Sequence, residues 1–254
     1  MHLTPLTQAL LALAALSAGF VDSIAGGGGI ISLPALLAVG LPPHLAFGTN
    51  KLQASLGTAF AAGNYARRGL VDRAQLPLGV ACTAAGALAG AMAIERLPST
   101  WLGYVVPWLL VAIFVYAVCS PRLSDSTARR ARLDSTTFSV TFGLSLGFYD
   151  GFFGPGTGSF WTLAFLALRG LALPQATAQT KVMNLTSNAA ALALFTAHGD
   201  VWWDLGLGLA AANVAGALAG SSLAMKKGAP LIRAFFLLAV SATLIRLVWR
   251  SLTA

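Results

Sequence analysis

Two lysines within apolar segments are the residues of this sequence whose chemistry is hardest to explain by packing alone. Lys51 lies about seven residues into an apolar run that starts near His44, and Lys181 has the equivalent place in a later run. If these runs cross a bilayer, each buried ammonium group costs about 2.5 to 3.5 kcal/mol on insertion scales, and such a residue marks a functional site. The structural alternative is a lysine that extends to the membrane interface or only pairs with a carboxylate. We predict that both lysines contact a bound substrate.

Amide and hydroxyl side chains cluster around each lysine. They are Thr49, Asn50 and Gln53 in the first run and Gln179, Thr180 and Asn184 in the second. Together with ammonium groups and the free backbone N–H groups of helix N-termini, these donors favour an oxyanion. We therefore predict an anion site made of both lysines, these six residues and three glycines, Gly27, Gly28 and Gly156. We expect no metal and no cofactor in it.

Two aspartates, Asp22 and Asp150, lie within the same apolar part of the sequence. Each could pair with a lysine, relay protons or cap a helix. We expect ion pairing as their first role, and protons as the candidate coupling ion.

The glycines and aspartates belong to a motif that occurs twice. Residues 19–29 read GFVDSIAGGGG and residues 147–156 read GFYDGFFGPG. After two extra residues the correspondence continues at an offset of 130, which aligns Lys51 with Lys181, and residues 86–90 with 216–220, both GALAG. The duplication predicts two transmembrane repeats, residues 1–120 and 138–254, joined by a polar, basic linker at 121–137.

The overall composition is that of an integral membrane protein. The 254 residues are 57% hydrophobic and only 9% charged, with a mean hydropathy of +0.76. This is too little polar surface to cover a soluble domain. The net charge of +8 comes mainly from loops between apolar runs, so it indicates orientation in the membrane and excludes nucleic acid as a partner. The histidines and cysteines lack the spacing of a metal site or catalytic triad, and we expect no enzyme activity.

The charges of equivalent loops have opposite bias in the two repeats. Loop 67–73 is basic while its counterpart, 198–203, carries only an aspartate; loop 95–96 is nearly neutral while its counterpart, 226–230, carries two lysines. Positively charged loops remain on the cytoplasmic side, so equivalent loops face opposite sides. The sequence therefore predicts an all-α, polytopic protein of two inverted-topology repeats, with both termini outside.

The first apolar runs of each repeat predict broken helices. The runs at 6–21 and 138–149 end at the glycine motifs, and those at 30–41 and 158–171 begin after them. A helix of about 12 residues reaches about 18 Å, short of the ~30 Å hydrocarbon core. A break inside the bilayer is tolerated only where protein or a cavity surrounds it. We expect broken or re-entrant helices at the glycines, with tilted short spans as the alternative. In this orientation Arg246 and Arg250 of the last run lie outside, the side on which basic residues are less common.

The paired motifs resemble those of the TauE/SafE sulfite exporter family. The likeness rests on GFVDSIAGGGG at 19–29 followed by GTNK at 48–51, repeated as GFYD at 147–150 and QTK at 179–181. The resemblance implies a permease of the bacterial inner membrane for small sulfur-containing anions such as sulfite, sulfonates or sulfoacetate. It covers nearly the whole chain, and the second-repeat motifs are looser.

These observations predict a secondary transporter that works by alternating access. Two alternatives remain open: a cation or proton channel that uses Asp22 and Asp150, and a membrane-embedded enzyme that uses the glycine-lined cavity. The small residues at 86–90 and 216–220 allow close helix packing within one chain, and the same spacing would serve a homodimer.

Overall fold

The computed structural model describes residues 3–73, 76–119 and 130–227, and over these residues the protein is all-α. Most of the linker, Lys227's side chain and the last apolar run, 231–249 with Arg246 and Arg250, lie outside the described part. The helices of the described part are α1 Pro5–Ala25, α2 Gly29–Ala38, α3 Pro43–Arg67, α4 Leu76–Glu95, α5 Ser99–Cys119, α6 Ser135–Phe152, α7 Thr157–Leu168, α8 Leu173–His198 and α9 Trp203–Lys227. The predicted all-helical class is confirmed for this part.

Local sequence signals fix several helix ends. A proline lies in the first turn of α1, α3 and α8, where its missing N–H group has no helical partner to lose. The side chains of Thr4 and Asp134 cap α1 and α6 by accepting the backbone N–H groups of Thr7 and Thr137. Gly199 ends α8 in the left-handed conformation that glycine adopts most easily.

Three helices of the described part are both long and apolar enough to cross a membrane: α1, α4 and α9. The other two long helices with described side chains, α3 and α8, have 25 and 26 residues but bury many polar groups. They lie between the apolar helices, with α9 packed on α3 and α4 on α8. The protein is therefore a multi-pass membrane protein in which the polar helices are central.

Both glycine motifs interrupt the helices. Gly26 and Gly27, with φ of 75° and 100°, separate α1 from α2, and Gly154 and Gly156, with φ of 93° and 86°, separate α6 from α7. Residues other than glycine rarely adopt such values. The short helices that follow, α2 and α7, have 10 and 12 residues. At about 15 and 18 Å they are shorter than a bilayer core.

The helices before the motifs end next to the glycines and include the aspartates. α1 continues through Asp22 to Ala25, and α6 continues through Asp150 to Phe152. Each carboxylate has a lysine partner, so it does not end the helix. With 21 residues, α1 is about 31 Å long and sufficient to cross the core.

Small residues let each repeat's fourth helix contact the other repeat's first helix. A Cβ atom on Gly86 of α4 would lie 2.4 Å from the Leu144 carbonyl oxygen of α6, and one on Gly216 of α9 would lie 2.0 Å from the Leu16 carbonyl oxygen of α1. Leu16 and Leu144 differ by the same 128 positions as the aspartates. These faces therefore pack within one chain.

The two central helices run antiparallel. A Cβ atom on Gly48 of α3 would lie 3.0 Å from Cβ of Phe195 on α8, and further along α3 Lys51 contacts Asn188, which precedes Phe195. Numbers thus rise along α3 as they fall along α8. An apolar core that includes Phe47 and Phe195 fixes one end of the bundle, and a second around Trp161 and Phe138 fixes the other.

Candidate functional site

A small cavity lies where the two glycine motifs meet the central helices. It is lined by glycines of both motifs, by Lys51 and both aspartates, and by four asparagines, Asn50, Asn184, Asn188 and Asn213. The cavity volume is about 40 Å³, which is room for about two or three water molecules. Its walls come from both repeats, so a change in the packing of one repeat against the other would change its shape.

The first ion pair of the site joins Lys51 to Asp150. The Lys51 Nζ atom donates to Asp150 Oδ1 at 2.8 Å, to the Asp150 carbonyl at 2.6 Å and to Asn188 Oδ1 at 3.0 Å. The other carboxylate oxygen of Asp150 accepts a hydrogen bond from Ser187. The lysine and aspartate side chains are only 3% and 5% exposed. All three donors of this ammonium group are therefore used by the protein.

The second ion pair joins Lys181 to Asp22. The Lys181 Nζ atom lies 3.2 Å from Asp22 Oδ2 and also donates to the Asp22 carbonyl, while Asp22 Oδ1 lies 3.4 Å from the backbone nitrogen of Gly28. The lysine side chain is 0% exposed and the aspartate 21%. In both pairs the lysine of one repeat contacts the aspartate of the other, but Lys181 lies behind Asp22 and does not line the cavity.

Two asparagines of the cavity wall have amide nitrogens without a hydrogen-bond partner in the described residues. Because an ammonium group only donates, the Asn188 atom that faces Lys51 must be the oxygen. The oxygen of Asn50 likewise faces Ser32 Oγ at 2.6 Å and Gln53 Nε2 at 3.2 Å. Within the described residues neither amide nitrogen donates a hydrogen bond. Two N–H₂ groups are thus available to an acceptor in the cavity.

The N-termini of both short helices also border the cavity. Gly28 and Gly29 begin α2, and Thr157 and Gly158 begin α7. A Cβ atom on Gly26 would lie 2.4 Å from the carbonyl carbon of Gly158. The two backbone segments can therefore come this close only because both residues are glycine. The first N–H groups of a helix lack helical partners and carry its positive end. Here most of them are bonded to carbonyls of the glycine turns, and those of Gly29 and Gly158 have no partner in the described residues.

The structure brings together part of the predicted site. Seven predicted residues line the cavity: Asp22, Gly27, Gly28, Asn50, Lys51, Asp150 and Asn184. Asn184 has a buried side-chain oxygen without a partner in the described residues.

The other six predicted residues are not part of the cavity wall. On α3, the Thr49 hydroxyl accepts a hydrogen bond from the backbone N–H of Trp202 at 3.0 Å, and Gln53 donates one to Asn50. On α8, Thr180 shares a hydrogen bond of 3.1 Å with Thr162, Gln179 donates to the Asp72 carbonyl at 3.0 Å, and Lys181 pairs with Asp22. Gly156 precedes the first turn of α7. Gln179 lines a second cavity, beside Arg169 and Trp161, whose buried indole nitrogen has no partner in the described part of the chain.

Sequence reasoning missed two amides of the cavity. Asn188 follows Asn184 by four positions, which places both on one face of α8, and this spacing was a readable signal. Asn213 comes from α9 and occupies space left by Gly19 and Gly57, where added Cβ atoms would lie 2.9 and 1.8 Å from its side-chain oxygen. No local pattern indicates that contact.

The described side chains offer no metal centre. In residues 3–73, 76–119 and 130–227, no group of three histidine, cysteine, aspartate or glutamate side chains is placed to hold a metal ion. The cavity thus combines hydrogen-bond donors, two helix N-termini and charges that are already paired.

Known proteins similar to this chain are membrane transporters by name. The profile of the family "Sulfite exporter TauE/SafE" matches residues 11–247. The chain is 43% identical over 241 residues to "Probable membrane transporter protein ORF9" of Sinorhizobium sp, covering 94% of this chain and 92% of that protein. It is 40% identical over 230 residues to "Probable membrane transporter protein YfcA" of Escherichia coli K12, covering 91% and 85%. A "Probable membrane transporter protein" of Haemophilus influenzae is 42% identical over 216 residues, covering 85% and 84%. No solved structure matches the chain significantly.

Proposed function

The chain belongs to the sulfite exporter TauE/SafE family of membrane transporters, and from that premise we propose that it is a secondary transporter of small sulfur-containing anions, such as sulfite or sulfonates, across the bacterial inner membrane. The proposal goes beyond the family in naming the substrate class, the membrane and the site. It rests on the donors that surround the central cavity.

The observation that carries the proposal is a set of hydrogen-bond donors in the cavity wall that have no acceptor in the described residues. They are the amide nitrogens of Asn50 and Asn188 and the backbone N–H groups of Gly29 and Gly158, in the first turns of α2 and α7. Sulfite and sulfonate groups present only oxygen acceptors to such donors, and helix N-termini favour negative charge. Lys51 also lines the cavity, but Asp150 balances its charge, so the free donors and not a net charge make the cavity suited to an anion.

The carboxylates argue against a cation pathway. Both oxygens of Asp150 accept hydrogen bonds from Lys51 and Ser187, and both oxygens of Asp22 face donors, Lys181 and the backbone N–H of Gly28. A cation would have to displace these donors before it could reach a carboxylate. A channel that conducts cations through the same cavity is therefore the weaker proposal.

Alternating access follows from a second part of the proposal, that the repeats have inverted topology. Three observations support it: equivalent loops carry opposite charge, the equivalent helices α3 and α8 run antiparallel, and the α4–α6 contact repeats as α9–α1. Transporters built this way bind substrate near the midplane, where broken helices meet. Rocking of one repeat against the other would then open the cavity to each side in turn.

The size of the cavity fits a binding site that must open. A sulfonate has at least five non-hydrogen atoms, whereas a cavity of 40 Å³ holds about two or three waters. Its walls must separate for a sulfonate to enter. Because those walls belong to both repeats, the motion that admits the anion is also the motion that alternating access requires.

Reconstitution into liposomes tests the proposed function. We expect vesicles preloaded with unlabelled sulfite or methanesulfonate to take up the labelled anion by counterflow, whereas labelled sodium should not enter faster than in protein-free vesicles. Sodium flux without anion counterflow would overturn the proposal in favour of a cation channel. Absence of both fluxes in correctly folded protein would also reject it.

A further inference from the structure

The charges around the cavity cancel before any substrate binds. Lys51 and Lys181 supply two positive charges, and Asp22 and Asp150 supply two negative ones, in pairs with N–O distances of 2.8 and 3.2 Å. An anion that enters adds one uncompensated negative charge to a buried space, where such a charge is costly. Some positive charge must therefore accompany it.

Lys51 cannot supply that charge in its present contacts. Its three donors go to Asp150 Oδ1, to the Asp150 carbonyl and to Asn188, so none is left for an anion. Of these three acceptors, only the carboxylate can change its charge and thereby weaken its hydrogen bond to the ammonium group. If the Asp150 carboxylate takes up a proton, its attraction for the ammonium group falls, and one N–H bond can turn to the substrate.

We propose that Asp150 binds one proton with each anion, so that this protein is an electroneutral proton–anion cotransporter. The inference rests on the proposed function, because it assumes that the central cavity holds an anion. The proton adds to a carboxylate oxygen of Asp150, the ammonium group of Lys51 keeps all its protons, and one of its hydrogen bonds moves from Asp150 to the anion. After the anion leaves, Asp150 releases the proton to water on the same side and its bond to Lys51 forms again.

The surroundings of Asp150 favour it over Asp22 for this role. Lys51 of α3, and Ser187 and Asn188 of α8, face it directly, and Asp22 faces it across the cavity. On α4, Gly90 lies beside Phe148 and Phe152, level with Asp150, and the described titratable side chains on either side of it are Glu95, five residues later and close to His44, and Cys82, eight residues earlier. Lys181, the other nearby cation, is held by Asp22 outside the cavity wall. Protonation of Asp22 would therefore release a lysine that does not reach the substrate.

Methanesulfonate is the suitable probe, because a strong-acid anion stays charged at every working pH and any proton that moves with it is carried by the protein. In liposomes that are acidic outside by one pH unit, wild-type protein should accumulate methanesulfonate about tenfold, the ratio that one proton per anion sets. A fluorescent pH indicator inside should record one proton for each anion, and a potential clamped with valinomycin and potassium should not change the accumulation.

Two variants assign the proton site. Asp150→Asn should still exchange methanesulfonate by counterflow but should lose the tenfold accumulation, because the amide imitates the protonated acid. Lys181→Met with Asp22→Asn removes the other pair and leaves the charges balanced, so this double variant should keep its response to the pH gradient. The proton count on wild-type protein decides the matter if Asp150→Asn does not fold.

The possible failures are distinguishable. Counterflow of methanesulfonate that responds to the potential and not to the pH gradient would overturn this inference and leave the proposed function standing. Accumulation by Asp150→Asn equal to that of wild type would also overturn it. Absence of counterflow for both methanesulfonate and sulfite would overturn the proposed function, and this inference with it.

Discussion

The two lysine–aspartate pairs occupy equivalent positions in the duplicated sequence but different positions relative to the cavity. Lys51 lines the cavity and binds Asp150 and Asn188, whereas Lys181 is fully buried behind Asp22. Asp150 is 5% exposed and Asp22 is 21% exposed. In the first pair both side chains line the cavity and are almost fully buried, whereas in the second pair only the aspartate lines the cavity and the lysine is sealed behind it.

The duplication of the sequence has therefore not produced two equivalent binding groups. The lysine at the cavity is the one surrounded by asparagines whose nitrogens are free, so we assign substrate contact to Lys51. Lys181 holds the end of α1 through the carboxylate and carbonyl of Asp22, next to the turn that leads into α2. We assign it a positioning role.

The largest effect should come from removing one lysine at a time. Lys51→Ala leaves Asp150 buried without its partner, and loss of one member of a buried pair typically costs about 3 to 5 kcal/mol of stability. Lys181→Ala should cost less, because Asp22 can take water from the cavity. Equilibrium unfolding of both variants in mixed micelles measures the difference. If Lys181→Ala lowered the free energy of unfolding more than Lys51→Ala, the exposure of the unpaired aspartate would not determine the loss of stability.

Removing both members of a pair separates transport from stability. Lys51→Met with Asp150→Asn should lower sulfite counterflow by at least about 100-fold, equivalent to about 2.8 kcal/mol. Lys181→Met with Asp22→Asn should keep counterflow within about tenfold of wild type, because it alters a positioning contact. Initial rates in liposomes, normalised to inserted protein, give the comparison. Equal losses in the two double variants would contradict the division of roles.

The sequence predicts the pairs better than it predicts their geometry. The duplicated motif, the lysines with polar neighbours and the helix breaks at the glycines can all be read locally. The crossing of partners between repeats cannot, because Lys51 and Asp150 are 99 positions apart. Asn213 reaches the cavity only through close packing of α9 against Gly19 and Gly57. Nor does the local sequence show that each aspartate lies inside its helix, since its partner is a lysine of the other repeat.

A smaller effect should distinguish equivalent cavity residues of α3 and α8. Asn188 and Thr58 occupy equivalent positions, and both line the cavity. Asn188→Ala removes an acceptor of Lys51 and a free N–H₂ donor, and should raise the KM for sulfite about tenfold, as loss of a hydrogen bond to a charged group implies. Thr58→Ala should change KM less than about threefold. Counterflow at several sulfite concentrations measures both KM values. A larger increase in KM for Thr58→Ala than for Asn188→Ala would indicate that the anion lies nearer α3.

The smallest effect concerns the caps of α1 and α6. The backbone N–H of Thr137 holds the pKa of Asp134 below its ordinary value, whereas the cap of α1, Thr4, does not titrate. A carboxyl with a lowered pKa stabilises the fold above its unfolded pKa and loses that contribution as pH falls through the folded one. Asp134→Ala should therefore lower the Tm slightly at neutral pH and have no effect in acid below the carboxyl range. Thr4→Ala should lower the Tm equally at both pH values, and a pH-independent effect of Asp134→Ala would contradict the assignment.

A structure of the protein with methanesulfonate bound would show which residues hold the anion. We predict the sulfonate oxygens within about 3 Å of the amide nitrogens of Asn50 and Asn188, beside the first turns of α2 and α7. We also predict that one hydrogen bond of Lys51 will have moved from Asp150 to the anion. A sulfonate bound instead in the second cavity, beside Gln179 and Trp161, with the Lys51–Asp150 contact unchanged, would contradict the account.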